Sequence, residues 1–166
     1  ATTPVTGDDS RLELAEEAAQ AVLSSPSCTV ILRFGQALIS VHRNEAKSAE
    51  RDYSYLLAFS EVMPEGEPLC QVGPCVSRTL GLLSHTMGDL DQAVEHFEDS
   101  LALCRPAGFR HELAWTCSDY AETLSKRDDE GDRAKAMSLL DESLTISTEL
   151  GMRPLMERVL DRQEIL

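Results

Sequence analysis

Along this chain apolar residues return every three or four positions, the spacing that gathers them into one stripe of an α-helix. The first stripe is Leu12, Ala15, Ala19, Val22 and Leu23, opened by Ser10 and Glu13 at capping-box spacing and stopped before Pro26. Such a stripe has no partner within itself, so it must pack on later segments of the chain. The residues ahead of Ser10 are small, polar and broken by Pro4 and Gly7. This predicts a flexible tail over 1–9 and a single helical domain over 10–166.

Further along, the pattern itself recurs. Gly88, Ala93, Leu101 and Gly108 come back 43 residues later as Gly131, Ala136, Leu144 and Gly151. A fixed period of this size marks repeated units that bury their apolar faces by stacking on neighbours. In the clearest unit, from about Cys75 to Ala107, Leu80-Gly81 leads to a turn at Gly88-Asp89, and Ala93, Phe97 and Leu101 follow at four-residue steps. Gly81 and Ala93 are small enough to let two helix backbones approach, while Phe97 and Leu101 fill the space beside them. Asp89 is placed to cap the second helix, with Gln92 completing a capping box. The next copy uses Tyr120-Ala121 and Ala136-x3-Leu140. Its first helix is shifted by 40 residues and its second by 43, so the charged turn Arg127 to Asp132 carries three extra residues and is expected to be an exposed insertion. A weaker copy lies upstream, with Ala37, Asn44, Ala49, Tyr53 and Leu57 shifted by 44; Asn44 tolerates the left-handed turn that glycine makes elsewhere. Met63 to Pro74 holds three prolines and two glycines and is expected to be a long connection. A closing helix near Pro154, with Leu155, Met156, Val159 and Leu160 on one face, is expected to cap the array.

The order Leu80-Gly81, Gly88, Ala93-x3-Phe97, Leu101 and Pro106 resembles a tetratricopeptide repeat, although Ser77 and Ser84 stand at its larger positions and Pro106 comes one place late. With Glu112 to Thr116 and Glu149 to Pro154, it is similar to the long-period repeats near the C-termini of large bacterial signalling proteins: cyclase-linked, kinase-linked and LuxR-type regulatory ATPases. The resemblance implies an all-α fold, a right-handed α-solenoid of about three antiparallel helical hairpins with an extra helix at each end. It implies non-catalytic recognition of a protein, peptide or small effector in a groove lined by the first helix of each unit. Carried onto this chain, the groove positions are Arg78, Leu82, His85 and Thr86 in the middle unit. In the last unit they are Trp115, Ser118, Glu122, Ser125 and Lys126, and the weaker equivalents upstream are Phe34, Leu38, Val41 and His42. Trp115 is the natural anchor of an interface; a lone Trp at helical spacing also suits a core. Self-association through an end helix is the alternative function, and a metal or thiol enzyme a third.

Composition narrows these readings. A net charge of −14 disfavours nucleic acid and anionic membranes, which are bound largely through Lys and Arg. It fits either a solvated surface or a groove for a cationic partner. Five scattered cysteines, an odd number, suit reduced thiols in a cytoplasmic protein without disulfides. The apolar runs are too short to cross a bilayer, and the first residues lack the basic and apolar regions of a signal peptide. Cys70, Cys75 and His85 supply an incomplete set of zinc ligands. No motif assembles a nucleophile with its base, and the glycines follow the repeat rather than a phosphate loop, so neither cofactor nor catalysis is expected.

Overall fold

The computed structural model describes residues 26–62 and 75–165. Over these residues the chain is all-helical: α1 (Pro26–His42), α2 (Ala46–Val62), α3 (Val76–Met87), α4 (Leu90–Ala107), α5 (Arg110–Arg127), α6 (Asp132–Leu150) and α7 (Arg153–Ile165). The expected helix over residues 10–23 and the connection Met63 to Pro74 lie outside the described residues. No described helix is long and apolar enough to cross a membrane.

Glycines at left-handed positions set where the helices stop. Gly88 (φ 89°) ends α3, and its amide donates to the carbonyl of His85 while that of Asp89 donates to Ser84, so the terminal carbonyls are satisfied as the chain reverses. Asn44 makes the same turn at φ 54°. Asp89 caps α4 by accepting from the Gln92 amide at 3.1 Å, but the expected reciprocal bond is replaced: the Gln92 side chain accepts from Ser84 Oγ at 3.3 Å. That bond ties α4 back to α3.

Each helix packs on its successor, and α3 also touches α1 and α5. Contacts fix the reversal of direction. Phe97 stacks on Tyr120 with ring centroids 5.6 Å apart, while Ser100, further along α4, bonds Thr116, earlier on α5, at 3.0 Å. Gly81 lets the Phe97 ring of α4 lie directly on α3, since a Cβ there would sit 3.0 Å from that ring. Ala93 and Ala136 are fully buried, as their repeat positions demand.

Two apolar clusters result. The smaller joins Phe34, Ala37, Ala49 and Leu56 to Leu80 and Leu83, and the larger runs from Ala93 and Phe97 on α4 to Leu155 and Val159 on α7. Helix α7 closes the larger one with Leu155 and Val159, whereas Leu160, expected on the same face, is 46% exposed. Counting 40 residues on from Cys117, Ala121 and Leu124, which α5 buries, α7 carries Glu157, Asp161 and Glu164, all exposed.

Candidate functional site

The expected groove positions fall on α3 and α5, and α7 lies beside α5 in the same sense. Arg78 is central. Its guanidinium donates from Nε to Asp119 at 2.8 Å and from Nη1 to Glu112 at 3.3 Å, with its side chain only 11% exposed. Glu112 also accepts from the Cys75 amide at 2.9 Å, which anchors the start of α3. From the other side, Arg158 donates to the second oxygen of Asp119 at 2.8 Å and to Glu122 at 3.1 Å. Arg162 donates to Glu122 and, at 3.3 Å, to the Ser118 carbonyl. Three arginines and three carboxylates therefore run as one chain from α3 across α5 to α7. Asp119, almost wholly buried, is shared between two helices.

The charges hold each other in their ionised forms. Burial works against the Arg78 cation, but Asp119 and Glu112 more than offset it and strengthen its hold on the proton. Burial likewise opposes the Glu122 anion more than any single partner favours it, but the bond from Arg162 together with the charges of Arg162 and Arg158 outweighs it, leaving that carboxyl below the usual carboxylate range.

Trp115 sits within this frame. Its ring packs against the larger apolar cluster, and the guanidinium carbons of Arg78 and Arg158 lie 5.5 and 5.8 Å from its centroid. Both separations lie within reach of cation–π attraction. The residue is half-buried, partly core and partly surface. His85 is also half-buried; its Nδ1 and Thr123 Oγ1 are 2.8 Å apart, and burial, helped by the Lys126 charge, pushes its pKa down. Thr86 turns its hydroxyl back to the Leu82 carbonyl at 2.8 Å, and Leu82 leans on the larger cluster. Ser125 and Lys126 are exposed beside them.

Several expected positions move to other roles. Ser118 is fully buried, because it lies 40 residues from both Arg78 and Arg158 and those long side chains converge over the helix that carries it; its Oγ has no hydrogen-bond partner among the described residues. Arg78 is nearly buried in its ion pairs, and Glu122 is held by Arg158 and Arg162 while 44% of its side chain stays exposed. Upstream, Phe34 is buried core and Val41 packs beside it, so only Leu38 and His42 keep an exposed place. The Arg127 to Asp132 turn is tied down: Arg127 grips Asp132 with two bonds of 2.8 and 2.7 Å and reaches Asp91 at 3.1 Å.

Glu112, Asp119, Arg158 and Arg162 were not singled out in the sequence. The available signal was the period of 40, which puts Arg78 and Arg158 at one register position on either side of α5. Cys75, Cys104 and Cys117 are buried, and burial raises the Cys117 thiol far above its ordinary value, the opposite of a reactive thiolate. Among the described residues no His, Cys, Asp and Glu side chains gather as a metal site; Cys70 lies outside them. No family model, curated protein or solved structure matches the chain.

Proposed function

We propose that the helix pairs build a right-handed tetratricopeptide-like solenoid whose row α3, α5 and α7 is the recognition face of a non-catalytic scaffold within a larger, cytoplasmic signalling protein. The observation that carries this reading is Trp115, half-buried between Arg78 and Arg158 on a face braced across three helices, with Ser125 and Lys126 exposed beside it. A rigid aromatic with cations around it is the composition of an interface anchor. Its supports are already paired, so little ordering is left to oppose binding.

Charge refines the choice of partner. The protein carries −14 overall, yet on this face Arg78, Arg158, Arg162 and Lys126 outnumber Glu112, Asp119 and Glu122. The favoured occupant is an extended peptide with acidic or aromatic side chains, not a cationic one. A protein segment or a small effector of the same chemistry fits equally.

An array of acidic, neutral and basic peptides tests the reading, with each binder retested on Lys126→Glu and, as a control, Lys47→Glu on α2. Binders should be acidic or aromatic and should lose affinity only with Lys126→Glu. Binders that are basic, or that respond equally to both changes, would place recognition elsewhere. Leu155 and Val159 of α7 are buried in the larger cluster, which favours recognition over self-association through these two residues.

A further inference from the structure

A cavity of about 110 Å³ lies between α5, α6 and α7, lined by Ala121, Glu122, Ser125, Leu140, Arg162 and Ile165. Its origin can be read from the repeat. Shifted back by 40 residues on the first helices and 43 on the second, these positions are Gly81, Leu82, His85, Phe97, Glu122 and Ser125. Two rings take up the room there. The Phe97 ring lies on Gly81, and the His85 imidazole reaches across to Thr123 of α5 at 2.8 Å. One repeat later Leu140 stands in place of the ring, and Ser125 is too short to cross, its hydroxyl turning back to the Ala121 carbonyl at 2.7 Å. Ala121 returns only a methyl. The space is therefore left open above the buried Ala121 and Leu140, with the exposed Ser125 and Ile165 at its sides.

Size and charge together select an occupant. The cavity is smaller than the roughly 150 Å³ in which an engineered cavity holds benzene, so it suits an aliphatic side chain better than an aromatic one. Its charged lining residues are Arg162 and Glu122. Glu122 is already shared between Arg158 and Arg162, and Lys126, next to Ser125, is exposed, so the charge left over beside the cavity is positive. We propose that this cavity is a subsite of the recognition face, taking a Leu, Ile or Val side chain of an extended acidic peptide while an adjoining carboxylate meets Arg162 or Lys126. The proposal rests on the recognition reading above and adds selection by shape to its selection by charge.

Short capped peptides of Glu, Ser and Gly with a central Leu, and the same peptides with Ala in its place, test it by calorimetry on the full chain at about pH 8, where histidine is neutral. On the parent, Leu should bind about tenfold tighter than Ala, the effect of burying the larger side chain. Ser125→His restores the ring found at His85, and Leu140→Phe fills the space from below; in either, the Leu and Ala peptides should bind alike, with urea unfolding confirming that the variant folds. Leu and Ala peptides that bind the parent alike, or a Leu preference that survives both fillings, overturn the subsite and leave the face. Peptides that do not bind, or that bind Lys126→Glu as well as the parent, sink the recognition reading and the subsite together. A loss of stability with Leu166→Ser, or a dimer in sedimentation that Ser125→His dissociates, would give the cavity to the chain's own end or to a second copy, and overturns the proposal as well.

Discussion

The larger and smaller apolar clusters come from the same repeat but are joined to their surroundings differently. Around α5, the apolar residues are backed by ion pairs that cross from helix to helix: Arg78 and Arg158 on Asp119, Arg162 on Glu122, Arg105 on Glu142 and Lys135 on Glu98. Around α2, the buried carboxylate among the described residues is Asp52, which accepts from Ser40 at 2.7 Å and otherwise meets the exposed Arg51 next to it in sequence. One cluster is cross-braced by ion pairs between helices, whereas among the described residues the other is held by packing and by the hydrogen bonds Ser40 to Asp52 and Tyr53 to His96. The difference places the ion pairs that cross between helices, those of Arg78, Asp119, Arg158, Glu122 and Arg162, at the face proposed for recognition.

The largest expected effect breaks that bracing. Asp119→Ala leaves Arg78 nearly buried with one partner fewer and strips Arg158 of one of its two partners, so it should cost about 3–5 kcal/mol. Asp52→Ala should cost about 1–3 kcal/mol, because only a neutral donor is left behind it. Urea unfolding of the two variants gives the comparison directly. Equal losses would mean that the crossing ion pairs contribute nothing beyond an ordinary hydrogen bond.

Overpacking comes next. Ala93→Leu and Ala136→Leu should each cost about 1–3 kcal/mol, since both sites are closed on every side. Gly81→Ala should destabilise by a similar amount, about 1–3 kcal/mol, because the Phe97 ring it would press is itself stacked on Tyr120. Melting temperatures equal to the parent's would show that the close approach of α3 and α4 is misplaced.

Acid should loosen both regions, in order. Burial lowers the pKa of His85 on the braced side, and also that of His96, whose Nε2 lies 2.9 Å from Tyr53 of α2. A group held neutral by burial, with a folded-state value below the unfolded one, stabilises above the unfolded value of about 6.5 and loses that contribution as pH falls through the folded value. Glu122 follows the same sign, its contribution present above about 4.3 and lost below. Stability should therefore hold from pH 7 to 8, decline from about pH 6.5, and decline again below about 4.3. His96→Gln should remove part of the first decline without touching the second.

The smallest expected effect concerns the Arg127 to Asp132 turn. Asp132→Asn removes the charge that Arg127 grips, costing about 1 kcal/mol, and should speed tryptic cleavage after Arg127. An unchanged cleavage rate would mean that these ion pairs do not hold the turn.

Apolar spacing made the helices and their order readable in the sequence, because Ala93, Phe97, Leu101 and their copies repeat in both identity and interval. Turn chemistry was equally readable at Gly88, Gly151 and Asn44, where the left-handed backbone narrows the choice of residue. The charged frame was not. An Asp or Arg on a helix reads as solvated surface until its partner on another helix is known, and Asp119 draws on residues 39 and 41 positions away. The same blindness made Ser118 look like an exposed groove residue, since Arg78 and Arg158 reach it from other helices, and it hid the grip of Arg127 on Asp132 within the turn, whose residues 128–131 are exposed as expected.

The central claim is that a ligand meets the face around Trp115, and Trp115 is the protein's only tryptophan. Its emission therefore reports on that face alone. A peptide found on the array, lacking tryptophan itself, is titrated in while heat of binding is recorded in parallel. The account predicts a saturable change in Trp115 emission with the same midpoint as the heat, and loss of both with Lys126→Glu. Saturable heat with no change in emission would contradict it.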